Sequence, residues 1–484
     1  MPFTKIVATL GPATTDPPVL ADLLAAGVDV VRINCSHGVI GDHVAEVGLV
    51  HRVAKEVGRR VAVVADLQGP KMRVGSIPGA GVELDRGDEI CVRSGVETAP
   101  DGVIPCVYPH LAEDVRTGDR ILFDDGSIEA QVSAVDGPDV HAVVVRPGCL
   151  SSRKGINLPG IAVTAQSPTE KDLADLVAMV GAGVDYVALS FVQTAADVKR
   201  LRAAIDALGA STAIIAKLER PEAMDQLDEI MAAVDAVMVA RGDLGVEVGP
   251  ERVPILQKRI IAAANAHAKP VITATEMLES MIHETRPTRA EASDIANAVF
   301  DGTDAVMLSA ETAVGDHPVE AVRYMRRICA TAESAPWALR QRPTPHGSLS
   351  TARAVARAVV QTVHDLNAVA VVVHTQSGSS SRLVSSFRPG VPILALSPYE
   401  ATLRLMALHY GVESDCVEPV DDSLALMSQA NDKALTSGVA RDGDTVVVVA
   451  GAPGQSGGTN RLLVHRVDSS LPGIPPRSAY DRLV

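Results

Sequence analysis

Polar side chains close a series of short apolar runs in this sequence. Arg32, Asn34 and Ser36 follow VDVV, Asp66 ends VAVVAD, and Lys217 and Glu219 end TAIIAKLE. Arg241, Gly242 and Asp243 follow VDAVMVA, Thr273 and Thr275 end KPVITAT, and Ser309 and Glu311 end TDAVMLSAE. Lys217 and Glu219 stand two apart, so both side chains leave a strand on one face. The carboxylates of Glu219 and Asp243 leave several coordination positions open, which suits Mg²⁺ or Mn²⁺ completed by water and substrate oxygens. ARGDLG brings small residues to a helix start, where backbone N–H groups meet an anion. In ADLQGPKMRVG, Asp66 ends an apolar run, the chain turns at Gly69-Pro70, and Lys71 and Arg73 on alternate residues point to one face. Taken singly, each of these is also explained as a strand end meeting solvent or, for Glu219, as a salt bridge with Lys217. Anion binders and metal-type carboxylates recurring together suit phosphate chemistry.

The runs that carry these residues are spaced as strand–helix units. They cover 5–10, 28–34, 61–67, 184–192, 212–218, 234–241, 269–275 and 303–310, with helical stretches such as PTEKDLADLVAMVGAG between them. Continuous apolar strands indicate burial on both faces, as in parallel sheets. Eight such units predict an α/β fold, a (β/α)₈ TIM barrel, with a doubly wound open sheet as the alternative. The polar residues then gather on the C-terminal rim, where barrel active sites are built. Residues 72–159 break the rhythm with short runs entered by Gly-Asp turns (RGDEICV, TGDRILF). They predict a small inserted β-barrel domain placed as a lid on that rim. Past RQRPTPHG a new α/β pattern starts. The expected domains are a barrel of 1–71 and 160–340, a lid of 72–159 and a C-terminal α/β domain of 341–484.

Composition narrows the function class. The chain has 484 residues, a net charge of −15 and 2% aromatic residues, which argues against a nucleic-acid binder that works by charge or base stacking. No apolar run reaches the roughly 18–20 residues of a membrane span, and MPFTKIVATL lacks the layout of a signal peptide. Six scattered cysteines without a C-x-x-C pair fit reduced thiols. The expectation is a cytoplasmic protein with no nucleic-acid or membrane partner.

KIVATLGPAT, VVRINCSHG, ADLQGPKMR, KGINLPG, IIAKLERPEA, VMVARGDLGVE, PVITATEMLESMI, RPTRAEASDIANAVFDGTDAVMLSAET and GGTN…VHRV, in this order, resemble the pyruvate kinase family over nearly the whole chain. The resemblance implies the same barrel, lid and effector domain, and transfer of the phosphoryl group of phosphoenolpyruvate to ADP, giving pyruvate and ATP. It implies Glu219 and Asp243 as ligands of Mg²⁺ or Mn²⁺, and Lys217 as stabiliser of the transferring phosphoryl group. Arg32 would bind the phosphate, with Gly242, Asp243 and Thr275 on the substrate carboxylate. Pro12, Asn34, Ser36, His37, Arg73 and Lys154 would line the nucleotide site. Ser309, Glu311 and Thr275 could organise a water relay for the proton that reaches the enolate carbon. Ala310, where many relatives have Gly, and Glu276, where Gln is common, depart from the family pattern near the site.

Asn34, Ser36, Asp66 and the carbonyl of Leu67 match the pocket where many members hold K⁺. Those members typically read D-T-K-G-P-E. This chain reads D-L-Q-G-P-K, similar to a potassium-independent subgroup in which Lys71 supplies the charge, so K⁺ is not expected to be required. In HTQSGSSSR the amides and hydroxyls of Thr375, Ser377, Gly378, Ser379, Ser380 and Ser381, with Arg382, form a candidate phosphate cradle, against the plain reading of a glycine-serine turn. The resemblance makes it a pocket for a phosphorylated small-molecule effector and implies a homotetramer. An inactive relative serving as a binding scaffold, or a metal-dependent aldolase-type barrel, are the competing functions.

Overall fold

Alternation within each apolar run sorts its side chains between two cores. In the computed structural model, which describes residues 2–161, 163–335, 350–420, 422–451 and 458–470, strands β1 (Lys5–Thr9), β2 (Val30–Asn34) and β3 (Ala62–Asp66) open a barrel. The chain then leaves it through β4 (Val82–Leu84), β5 (Glu89–Arg93), β6 (Val103–Pro105), β7 (Arg120–Phe123), β8 (Ile128–Asp136), β9 (Asp139–Arg146), β10 (Gly148–Leu150) and β11 (Ile156–Asn157). It returns with β12 (Tyr186–Leu189), β13 (Ala213–Leu218), β14 (Ala236–Ala240), β15 (Val271–Ala274) and β16 (Ala305–Leu308). The eight barrel strands close in the order β1-β16-β15-β14-β13-β12-β3-β2, all parallel. The open-sheet alternative is thereby excluded.

One residue parity faces the axis: Val7, Val30, Ala62, Val64, Tyr186, Ala188, Ala213, Ile215, Met238, Ile272, Ala305 and Met307 fill the interior. The other parity, including Ile6, Val31, Ile33, Val63, Val187, Ile214 and Val237, packs against the surrounding helices. The inward parity, continued one step past the apolar layers, reaches Thr9, Arg32, Asp66, Ser190, Lys217 and Ser309. The strand period therefore places these polar groups together at the C-terminal mouth. Helices between strands start and stop on local signals. Thr169 and Asp172 form a reciprocal capping box before Glu170–Ala182, which ends at left-handed Gly183. Thr288 and Glu291 do the same in RPTRAEASD before Arg289–Asp301.

The lid is a six-stranded sheet (β11-β7-β8-β9-β5-β6) with a two-stranded ribbon (β10-β4) around one apolar core. Its two crossings lie side by side, Arg73 pairing with Gly155. The C-terminal domain is a five-stranded sheet in the order β19-β18-β17-β20-β21, built from β17 (Ala370–His374), β18 (Ile393–Ser397), β19 (Val412–Cys416), β20 (Thr445–Gly451) and β21 (Thr459–Arg466). β19 escaped the sequence reading because VESDC is a half-exposed edge strand without an apolar run. This domain also stops the N-terminal mouth of the barrel: Ala407 and Leu408 join the interior core, and Tyr186 Oη donates to the Leu405 carbonyl at 2.7 Å. The RQRPTPHG linker, the 340/341 boundary and Gly457 of GGTN lie outside the described residues. No described helix is long and apolar enough to cross a membrane.

Candidate active site

Asp66 is the hub of the rim and only 1% exposed. Its Oδ2 accepts from Arg32 Nε at 2.6 Å, and its Oδ1 lies 3.3 Å from Lys217 Nζ. Arg32 Nη1 donates to Thr9 Oγ1 at 3.1 Å. Lys217 Nζ donates to Ser190 Oγ at 2.8 Å, and Ser190 in turn donates to the Leu67 carbonyl at 2.7 Å. Burial works against ionisation of Asp66, but the Lys217 and Arg32 charges outweigh it and hold the carboxyl below its usual range. Burial likewise opposes the Lys217 charge, yet Asp66 and Glu219 keep its ammonium above the ordinary lysine value. Two fixed cations thus stand on one buried carboxylate.

Glu219 is fully buried, 2.9 Å from Lys217 Nζ through Oε1, while Oε2 accepts from the Phe191 N–H at 2.7 Å. Among the described residues the Lys217 ammonium is the one partner of Oε1. Burial pushes this carboxyl up, against the pull of Lys217 and with Asp243 adding to the push. A buried carboxylate next to a second one is the hard-oxygen donor chemistry that a divalent cation takes, so these residues fit Mg²⁺ or Mn²⁺. No group of three or more His, Cys, Asp or Glu among the described residues is arranged around a metal position. A two-carboxylate site leaves the remaining ligands to water and substrate.

Asp243 lies in the first turn of helix Arg241–Val248, and Lys71 Nζ is 3.9 Å from its Oδ1. The Gly242 N–H donates to Thr275 Oγ1 at 2.8 Å, and Thr275 Oγ1 donates to the Ala274 carbonyl at 2.6 Å. Thr275 and Glu276 both have positive φ, 68° and 53°, a conformation L residues rarely adopt. Arg241 holds this turn. Nε donates to the Ala274 carbonyl at 3.1 Å, Nη2 to the Thr275 carbonyl at 2.5 Å, and Nη1 to Asp294 at 2.6 Å. Glu311 is completely buried and faces backbone: it accepts from the N–H groups of Leu278 (3.0 Å) and Ser309 (2.6 Å). Ser309 Oγ is buried and in no hydrogen bond among the described residues.

On the neighbouring side, Asn34 Oδ1 accepts the Ser36 N–H at 3.2 Å, and Pro12 is exposed on the turn after β1. Burial and the cations Arg73, Lys71 and Arg32 hold the His37 imidazole below its ordinary value, hence neutral at pH 7. Arg73 Nη1 donates to the Arg153 carbonyl at 3.1 Å, and Lys154 Nζ pairs with Asp124 at 2.8 Å on the lid. In the C-terminal domain the Gly378 N–H donates to Thr375 Oγ1 at 3.0 Å, Ser377 meets Ser379, and Ser380 meets Thr459. Ser381 Oγ is buried and in no hydrogen bond among the described residues. Arg382 Nη1 donates to the Ala268 carbonyl of the barrel at 2.8 Å, so the guanidinium ties the loop's helix to the barrel.

The structure thus brings Arg32, Asp66, Lys217, Glu219 and the Lys71–Asp243 pair to one mouth. Sequence reasoning passed over Thr9, Ser190 and the Phe191 N–H. Ser190 and Thr9 share the inward parity of Lys217 and Arg32, the signal that could have found them.

Two family models match the chain: pyruvate kinase, barrel domain, over residues 1–322, and pyruvate kinase, alpha/beta domain, over 353–465. A pyruvate kinase of Mycobacterium tuberculosis is 44% identical over 465 residues, covering 96% of this chain and 98% of the relative. One of Geobacillus stearothermophilus is 41% identical over 491 residues, covering 99% and 84%. A crystal structure of a pyruvate kinase from Cryptosporidium parvum superposes with a TM-score of 0.90 at 33% identity, covering 96% of each chain.

Proposed function

Since this chain belongs to the pyruvate kinase family and is a phosphotransferase, we propose that the Arg32–Asp66–Lys217 rim moves the phosphoryl group of phosphoenolpyruvate to ADP. The observation that carries the assignment is the pair of cations fixed on buried Asp66, one of them shared with buried Glu219. Positive charge held in place before substrate arrives needs no reorganisation when charge moves in the transition state. Arg32 presents a planar fork to the phosphate, which a lysine could not copy. Lys217 neutralises the transferring group and the nascent enolate.

Glu219 and Asp243 are the residues to hold Mg²⁺ or Mn²⁺, which supplies charge neutralisation at phosphoryl and enolate oxygens. Gly242, Asp243 and Thr275 receive the substrate carboxylate at the helix start. Ser309 Oγ, in no hydrogen bond among the described residues, and Thr275 orient a water chain that passes a proton from solvent to the enolate carbon, and Glu311 orients Ser309 through its N–H. Arg73 and Lys154, with Pro12, Asn34, Ser36 and His37, take the nucleotide. Lys71 supplies the charge that K⁺ supplies elsewhere: Asp66 is already neutralised, the Leu67 carbonyl is bonded to Ser190, and Lys71 adds a fixed cation beside Asp243. Assembly as a homotetramer and control by a phosphorylated effector at the 375–381 loop belong to the same reading.

A coupled assay of ATP formed from phosphoenolpyruvate and ADP tests it. ATP should appear with Mg²⁺, stop on chelation, and fall steeply in Glu219→Gln. A wild-type protein that forms no ATP in the presence of Mg²⁺ sinks the reading.

A further inference from the structure

Among the described residues the bulkiest fully buried side chain is a charged one, Arg220, and none of the phosphoryl-transfer roles uses it. It directly follows Glu219 and reaches three separate elements. Nη1 donates to Glu247 Oε1 at 3.1 Å, Nη2 to the Ile161 carbonyl at 2.6 Å, and Nη2 also to Glu222 at 3.2 Å. Asn157 Nδ2, on the last lid strand, donates to the same Glu247 Oε1 at 3.3 Å. Glu247 lies one helical turn beyond Asp243 on helix Arg241–Val248. Asn157 ends the last lid strand, and Ile161 lies in the segment that follows it as the chain returns to the barrel. A cavity of about 20 Å³ beside the pair is also walled by Lys71 and Met72 of the outgoing crossing and by Phe191, whose N–H holds Glu219.

A buried ion pair of this kind is a poor device for stability, since well-packed apolar residues of similar volume serve as well or better. Its value lies in direction. A planar fork with fixed donors sets the relative placement of everything it bonds. We propose that Arg220 is a positioning residue that couples lid docking to the metal-binding carboxylates, with Glu247 as its partner and Asn157 as the lid's own tie. The proposal rests on Glu219 and Asp243 being the metal ligands. A shift of the lid moves Asn157 and Ile161, and Arg220 passes that shift to the helix bearing Asp243 and to the strand end bearing Glu219. By reciprocity, a cation held by those carboxylates steadies the lid crossings.

The test uses the full chain and Mn²⁺ alone as probe. Affinity is read by electron paramagnetic resonance, and amide hydrogen exchange is followed over 156–161 with and without Mn²⁺. In the wild type, Mn²⁺ should slow exchange at the crossing. Arg220→Lys keeps the charge and loses the fork. It should weaken Mn²⁺ about tenfold or more, the scale for residues that orient metal ligands, and make the crossing indifferent to Mn²⁺. Asn157→Ala leaves the Arg220–Glu247 pair in place, should also abolish the protection, and carries the test if Arg220→Lys does not fold. Variants that melt earlier yet keep wild-type Mn²⁺ affinity and Mn²⁺-dependent protection overturn the proposal, because that is a packing role only. If instead Glu219→Gln binds Mn²⁺ as tightly as the wild type, the ligand assignment itself fails.

Discussion

Asp66→Asn isolates the charge at the hub of the rim, because the amide keeps an acceptor for Arg32 at nearly the same place. Contacts of 2.6 Å and 3.3 Å to two cations correspond to about 5–6 kcal/mol each at an effective dielectric constant of ~20, before desolvation is subtracted. Removing one member of a buried pair leaves about 3–5 kcal/mol net. Lys217 retains Glu219 at 2.9 Å, which puts Asp66→Asn at the lower end, ~3 kcal/mol, a large share of the ~5–15 kcal/mol that stabilises a typical domain.

The pH dependence has a definite sign. Asp66 titrates lower in the folded chain than its ordinary 3.8. Its stabilisation is therefore complete above the unfolded value and is lost as pH falls through the folded one. Opening free energies from hydrogen exchange at β2 and β3 amides should differ between wild type and variant by a constant amount from about pH 5 to 8, narrowing only in stronger acid. The Michaelis constant for phosphoenolpyruvate should rise at least ~10-fold, an order-of-magnitude figure for a charged contact to phosphate weakened by about 1.4 kcal/mol. A gap under ~1 kcal/mol at pH 7, the range of an exposed pair, would refute the idea that the rim cations depend on this carboxylate.

Lys217→Met should lower kcat by about 10²–10³, the scale for losing one preorganised charge donor, and a turnover within a few-fold of wild type removes Lys217 from the mechanism. Activity should survive replacement of K⁺ by a non-supporting cation at constant ionic strength, and Lys71→Glu should acquire K⁺ dependence. Collapse of the wild type in that exchange contradicts the substitution of lysine for potassium. Gly11→Ala would place a Cβ 2.6 Å from the Ala313 carbonyl oxygen and should destabilise the barrel by about 1–3 kcal/mol. An unchanged melting temperature means that turn moves freely.

The barrel was legible because its strands are buried on both faces, and eight apolar runs admit few other arrangements. The rim was legible wherever a charged residue ended a run, as with Arg32, Asp66, Lys217 and Glu219. Uncharged members of the same parity, Thr9 and Ser190, were not, since only the inward parity they share with Arg32 and Lys217 marks them, and that parity is fixed once the strand registers are known. How Glu311 is held was not legible, because its burial against two N–H groups depends on a loop fold that spacing does not encode. The Arg382 contact to a barrel carbonyl was hidden for a related reason: a helix residue beside a phosphate-like loop can point either way. Arg220 and Glu247 stand 27 residues apart, and nothing local marks them as a pair.

Leu408 and Ala407, seated in the floor of the barrel, have a consequence for biosynthesis. Every barrel strand leaves the ribosome before the residues that close its interior. The emerging chain therefore exposes an apolar floor until the C-terminal domain arrives, the interval in which aggregation competes with folding and chaperones act. A chain ending near residue 335 would carry every catalytic group and still lack the stopper. The last part made is thus a folding partner of the first, so the two parts are not interchangeable modules.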